Sequence, residues 1–294
     1  MSAPVIIECA LSGYSSLGRN PHIPIQPAQI AADALACLGA GASIIHNHID
    51  DLALTGQAAA DRYIEGWRPV LAARPDAIIY GTTNSAPAIA AKCAHYEPSA
   101  RGGMRMGVLD PGSTNIAGTG ADGLPGARQF VYTNSYADIA YTVAELERLR
   151  LGPSIAIYEP GWLRVTLAYH RAGKLPAGAF VKLYFSDHSI VDGKPGLTYG
   201  LPPTLKALEA YLELLEGSGL PWAVAAFGGD VLGSGLARHA LERGGHLRVG
   251  LEDYAGTRTP SNLELVEEAV ALARTAGRPV ADCATAARIL ALPR

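Results

Sequence analysis

Two histidines stand two residues apart at the end of an apolar run, His46 and His48 in SIIHNHID, residues 43–50. In an extended strand residues i and i+2 point the same way, so these imidazoles share a face. Two neutral imidazoles on one face can hold a divalent ion, and zinc suits them. The plainer reading is one core and one surface histidine, each hydrogen-bonded. A catalytic zinc usually takes three protein ligands and leaves one position open. Asp50, Asp51 and Glu8 are candidates for the third ligand, against competing roles as caps, solvated acids or structural groups. The stretch HLRVGLED, residues 246–253, offers a better acid. Arg248, Gly250 and Glu252 share one parity there, which aims Glu252 across toward the histidines. Asp253 has the opposite parity, but a turning chain at the strand end brings it over the same place. An arginine beside an acid is either a structural ion pair or a positioned base of controlled pKa.

Other polar groups cluster at comparable points. GTTNS supplies Thr82, Thr83 and Asn84, and DPGSTN supplies Ser113, Thr114 and Asn115. Such hydroxyls and amides suit a carboxylate- or carbonyl-rich substrate, with one of the first three serving as a helix N-cap. Near Arg258, the loop YAGTRTPSN leads into a helix N-terminus. Helix N-termini bind anions, so this is a place for a phosphate-bearing cosubstrate or simply a capped loop.

Something must bring these groups together, and the chain repeats one unit throughout. The apolar and β-branched runs predict strands at 5–11, 43–49, 77–83, 104–110, 154–160, 179–186, 222–228 and 246–253. Between and after them, Ala/Leu-rich patterns predict helices at 26–41, 59–75, 85–96, 140–152, 162–173, 202–219, 232–245 and 261–277. Ser261 and Glu264 form a capping-box pattern at the last of these. Eight β/α units predict an α/β fold, a (β/α)8 TIM barrel in a single domain over residues 1–294 with a C-terminal helical extension. An open doubly wound sheet is the alternative, but no G-x-G-x-x-G follows strand one to support dinucleotide binding. Barrel enzymes build their sites at the C-terminal ends of the strands, where His46, His48 and Glu252 fall. The segment 111–139 reads as a long βα loop on that face.

Composition narrows the partners. The net charge is −3 with no basic block, which argues against nucleic acid. No stretch approaches a membrane span, and the N-terminus lacks the basic n-region of a signal peptide. Cys9, Cys37, Cys93 and Cys283 are scattered without a C-x-x-C. They read as small buried hydrophobes of a cytoplasmic protein.

Taken together, NPHIPIQPAQIAADALACLGAGASIIHNHIDD, GTTNS, LDPGSTN, GGHLRVGLEDY and SNLELVEEAVALARTAGRPVA resemble the β-keto acid cleavage enzymes, whose type member is the 3-keto-5-aminohexanoate cleavage enzyme. The likeness runs over nearly the whole chain. It implies a zinc-dependent (β/α)8 barrel, usually a homotetramer, that converts a β-keto acid and acetyl-CoA into acetoacetate and a new acyl-CoA. By motif, the resemblance assigns zinc to His46, His48 and Glu252, proton removal to Arg248 and Asp253, and oxyanion stabilisation to Thr82. It places Tyr14, Thr83, Asn84, Ser113 and Asn115 along the substrate pocket. The chain departs from the family at Asp50, where an arginine is usual, and at Ser154, near which an acid is usual. Tyr14 stands about where the type member has the acid for its substrate's amine, which implies a neutral or carboxylated keto acid instead. Two other readings stay open: a zinc hydrolase on a barrel, and a non-catalytic metabolite-binding barrel motivated by Asp50 and Ser154.

Overall fold

The computed structural model describes residues 3–13, 17–126, 131–186, 196 and 199–293. All eight expected runs form strands: β1 (Ile7–Ala10), β2 (Ile44–His46), β3 (Ile78–Tyr80), β4 (Met106–Leu109), β5 (Gly152–Ile157), β6 (Phe180–Ser186), β7 (Trp222–Phe227) and β8 (His246–Val249). They pair in parallel in the order β3–β2–β1–β8–β7–β6–β5–β4. The two ends of that row meet where the Arg105 N–H donates to the Ile79 carbonyl at 3.2 Å. The sheet is therefore a nearly closed barrel rather than an open doubly wound sheet.

The strands read as unbroken apolar runs because both faces are covered, by helices outside and by layered side chains inside. Every residue of β1, β2 and β3 is buried. The expected cap at Ser261 is present, with Glu264 closing the box back onto the Ser261 N–H. The C-terminal segment covers the entry ends of the strands: the Val5 N–H donates to the Pro279 carbonyl, and the Ser43 hydroxyl donates to Ala281 O. It ends in the helix Cys283–Leu290.

Several local expectations change, among them the eighth strand, which ends at Val249 rather than at residue 253. The predicted helix over 85–96 is instead two short helices, Ile89–Lys92 and Tyr96–Arg101. A residue before proline is disfavoured in the helical region, so Pro87 delays the start. Pro98 has no N–H to continue a helix from Ala94, yet fits the first turn of a new one. The fifth strand begins at Gly152, two residues before its expected start, and ends at Ile157 rather than at residue 160. Gly152 lies against the next strand's approach, where an added Cβ would sit 2.8 Å from Gly178 O. Pro160 then opens the helix Pro160–Arg171 and stops the strand short. Within 111–139, residues Thr114–Asn115 and Val131–Tyr132 form a small antiparallel ribbon.

Candidate active site

The histidine pair is aimed inward by the residue between them. Asn47 points out of the barrel, where its amide oxygen accepts the Trp67 indole N–H at 2.8 Å from the helix Gly56–Ala73. With Asn47 anchored outward, alternation turns His46 and His48 to the interior. The chain past β2 stays in register with β1: Leu11 N–H donates to His46 O, and His48 N–H to Ser12 O.

Glu252 arrives by a turn rather than by strand parity, because β8 ends at Val249. Gly250 adopts φ +130°, and a Cβ there would lie 2.1 Å from Ala10 O. Only glycine lets this turn press so closely against β1. The Glu252 N–H then donates to Ala10 O at 3.2 Å. Space for the carboxylate arm comes from Gly13, where a Cβ would stand 2.4 Å from Glu252 Cγ. The same turn buries Asp253.

The result is a tight cluster. Nε2 of His46 lies 3.2 Å from Glu252 Oε2, and Nε2 of His48 lies 3.3 Å from Oε1. One ligand atom from each residue falls within 4.8 Å of the others. Arg248 spans the floor, its Nη2 3.1 Å from Glu252 Oε2 and its Nε donating to Asp253 Oδ2 at 2.7 Å. Burial lowers His46 to about 4, which keeps it neutral, the form that binds metal. Burial works to raise Glu252, but Arg248 and the two imidazoles hold it well below the usual carboxylate range. Two imidazoles and one carboxylate converging on a point are a donor set that fits zinc. Burial pushes Asp253 up to about 6, against the pull of Arg248. A carboxyl poised near neutrality and fixed by a guanidinium is suited to take and return a proton.

The other residues singled out in the sequence fall into two groups. Thr82 and Thr83 sit at the rim beyond β3, where the Thr82 N–H donates to the Tyr63 hydroxyl at 3.1 Å. The Thr83 side chain lies against the Tyr132 hydroxyl. Asn84 turns its amide to its own loop, donating to Ala91 O and accepting the Ala86 N–H, both at 2.9 Å. The Ser113 hydroxyl accepts the Asn134 N–H and donates to Asn134 O, while Asn115 pairs through its backbone in the ribbon. Asp50 is gripped by Arg62 on two sides, and Arg258 is paired with Glu268. Tyr14 lies outside the described residues.

Several groups at the site went unread in the sequence. Lys182 and Tyr80 lie directly beneath the cluster, joined to Glu8. Their signal was available: a charged residue inside an apolar strand, as in AFVKLYFS, is almost never fully buried without a partner. Arg19 donates to Leu251 O at 2.6 Å and feels the charges of Asp253 and Glu252. Across the mouth from the histidines stands an aromatic wall. The ring of Tyr158 lies 5.0 to 6.4 Å from those of Trp162, Tyr184, Tyr199 and Phe227.

A sequence model of the beta-keto acid cleavage enzyme family matches residues 4–292. The chain belongs to that family. This beta-keto acid cleavage enzyme is 28% identical over 302 residues to the 3-oxoadipate:acetyl-CoA acetyltransferase of Cupriavidus necator, covering 100% of this chain and 96% of that one. It is 26% identical to the 3-keto-5-aminohexanoate cleavage enzyme of Fusobacterium nucleatum, over the full length of both. Among solved structures, apo ObcA superposes with a TM-score of 0.67 at 15% identity, over 93% of this beta-keto acid cleavage enzyme and 66% of the ObcA chain. That likeness concerns the barrel alone. No helix among the described residues is long and apolar enough to cross a membrane.

Proposed function

We propose that this enzyme transfers the acyl part of a β-keto acid to CoA, consuming acetyl-CoA and releasing acetoacetate. The observation that carries the reading is the convergence of His46, His48 and Glu252 beside an Arg248–Asp253 pair, in a chain of this family. Relatives named for acetyl-CoA as co-substrate support it, including the 3-dehydrocarnitine:acetyl-CoA trimethylamine transferase of Rhizobium meliloti, 25% identical over 95% of this chain.

His46, His48 and Glu252 would hold zinc, which when bound supplies Lewis-acid polarisation of the keto acid's oxygens. Asp253 takes the proton from the carbon between the keto and carboxylate groups. Its bond to Arg248 fixes Oδ2, so the carboxyl presents its other oxygen to the substrate. The resulting carbanion attacks the acetyl thioester carbonyl. Thr82, at the β3 rim, stabilises oxyanion character as that carbonyl becomes tetrahedral. Collapse of that adduct expels the CoA thiolate, which attacks the original keto carbonyl. The old carbon–carbon bond then breaks, Asp253 returns its proton to the departing carbon to give acetoacetate, and the acyl group is left on the CoA sulfur. The keto acid's variable end faces the aromatic wall around Tyr158, and Tyr14, Thr83 and Asn115 are assigned to the rest of the substrate pocket, whereas Asn84 and Ser113 have their polar groups taken by their own loops. Four free cysteines, all buried, accord with the reducing cytoplasm as the site of action. A homotetramer completes the reading.

The test incubates zinc-loaded protein with acetyl-CoA and a panel of β-keto acids, following acetoacetate and the new acyl-CoA. The reading expects both products in equal amounts from at least one acid. A metal-replete protein that yields neither across neutral, carboxylated and cationic acids overturns it. Light scattering tests the assembly.

A further inference from the structure

A second polar layer lies under the three converging donors, and nothing in the reaction above uses it. Glu8, Tyr80, Ser154 and Lys182 point inward from β1, β3, β5 and β6, and all four are buried. The Lys182 ammonium donates to Ser154 Oγ at 2.5 Å, to the Tyr80 hydroxyl at 2.7 Å and to Glu8 Oε1 at 3.3 Å. Those three bonds exhaust its N–H groups. The Tyr80 hydroxyl donates to Glu8 Oε1 at 2.7 Å, and Arg248 Nη1 donates to the same oxygen.

Arg248 is thus surrounded by three carboxylates, each met by a different nitrogen: Glu8 by Nη1, Glu252 by Nη2 and Asp253 by Nε. One guanidinium carries one positive charge and cannot neutralise all three. We propose that Lys182 is a positioning residue for the reaction: it neutralises Glu8 from below, which leaves the Arg248 guanidinium committed to Asp253 and Glu252 above. This rests on the functional reading just given.

Without the Lys182 charge, Glu8 keeps Arg248 as its sole cation, and a buried carboxylate with half a partner is costly. Arg248 Nη1 already holds Glu8 Oε1, but Glu8 Oε2 is buried without a hydrogen-bond partner among the described residues. The guanidinium then turns to meet it as well, and its bond to Asp253 lengthens. A base displaced by about 1 Å loses about 100-fold in rate while the rest of the pocket still binds. Lys182 itself is 3% exposed, with its donors spent, so it does not touch substrate.

The mechanism predicts a rescue that packing alone does not. Lys182→Met keeps one zinc per chain, lowers kcat about 100-fold and leaves KM within about threefold. Adding Glu8→Gln removes the downward pull, and the double variant recovers kcat to within about tenfold of the parent. Should Lys182→Met not fold, Lys182→Gln takes its place. Parental kcat in the single variant, or a double variant no faster than the single, overturns the proposal. A parent protein inactive on every keto acid overturns the functional reading instead. The crystal structure of the single variant then decides the positioning: an Arg248 that holds Asp253 at 2.7 Å overturns it, and one drawn toward Glu8 upholds it.

Discussion

The two ends of the barrel carry buried histidines that differ in what they face. At the entry to β8, His246 accepts the Ile6 N–H on Nδ1 at 3.0 Å, and its ring lies 5.8 Å from that of Phe180. At the opposite rim, His46 and His48 turn Nε2 toward Glu252. Burial lowers both kinds, His246 to about 3 and His46 to about 4. Neutrality and burial therefore do not separate a ligand from a core histidine. The partner does: at the entry a backbone N–H takes the lone pair, while at the rim the ring nitrogens meet a carboxylate that shares their preference for a cation. One strand, β8, carries a structural group at its start and the proposed reactive groups just past its end, where barrels place them.

Removing a rim imidazole should break this contrast most. His48→Ala is expected to lose zinc and at least about 1,000-fold in activity, while changing unfolding free energy by only about 1 kcal/mol. Metal analysis after zinc loading and dialysis, beside a denaturant titration, reads both. Unchanged zinc content would put the metal elsewhere. Asp253→Asn comes next: zinc stays, and kcat drops by about 100- to 10,000-fold, the range of a lost general base. Full turnover in that variant would move the base to another residue.

Much of this was legible because the barrel repeats one pattern. Eight apolar runs alternating with Ala/Leu-rich helices expose the fold, and i, i+2 spacing alone puts His46 and His48 on one face. The arrival of Glu252 and Asp253 was only half legible. Strict alternation separates them, whereas the Gly250 turn buries Asp253 and sets Glu252 half-buried beside it, and a φ of +130° leaves no trace in sequence beyond the glycine itself. Lys182 and Tyr80 were missed because their partners, Glu8 and Ser154, are at least 28 residues away in the chain. No local spacing records a contact made across the barrel. Asn84 and Ser113 show the converse: their types suit substrate, yet their polar groups are occupied by nearby backbone.

The entry end offers a milder test, with its sign fixed by linkage. An unfolded chain protonates His246 near its ordinary value of about 6.5, whereas the folded chain resists protonation down to about 3. Between those values the unfolded state binds more protons, so stability falls as pH falls. At pH 5 the loss from this one residue is about 2 kcal/mol. His246→Asn keeps an acceptor for the Ile6 N–H but does not titrate. Its stability should therefore decline less between pH 7 and pH 5 by about that amount, with kcat unchanged. An identical pH slope in the two proteins would show that other groups dominate.

The smallest effect belongs to Asp50, which follows the rim histidines without joining them. Its carboxylate is bound by Arg62 through Nε at 2.9 Å and also through Nη2, and both side chains remain about a quarter exposed. Partly solvated pairs of this kind contribute about 0.2–1 kcal/mol. Asp50→Asn should accordingly cost about 0.5 kcal/mol, keep its zinc and leave kcat within about twofold. The comparison turns on this outcome, because Asp50 lies only two residues past His48 and shares its parity. A tenfold fall in kcat, or a loss of zinc, would mean that the Arg62 pair is part of the reactive rim, and proximity in sequence would then outweigh the partner as the guide to which acids do chemistry.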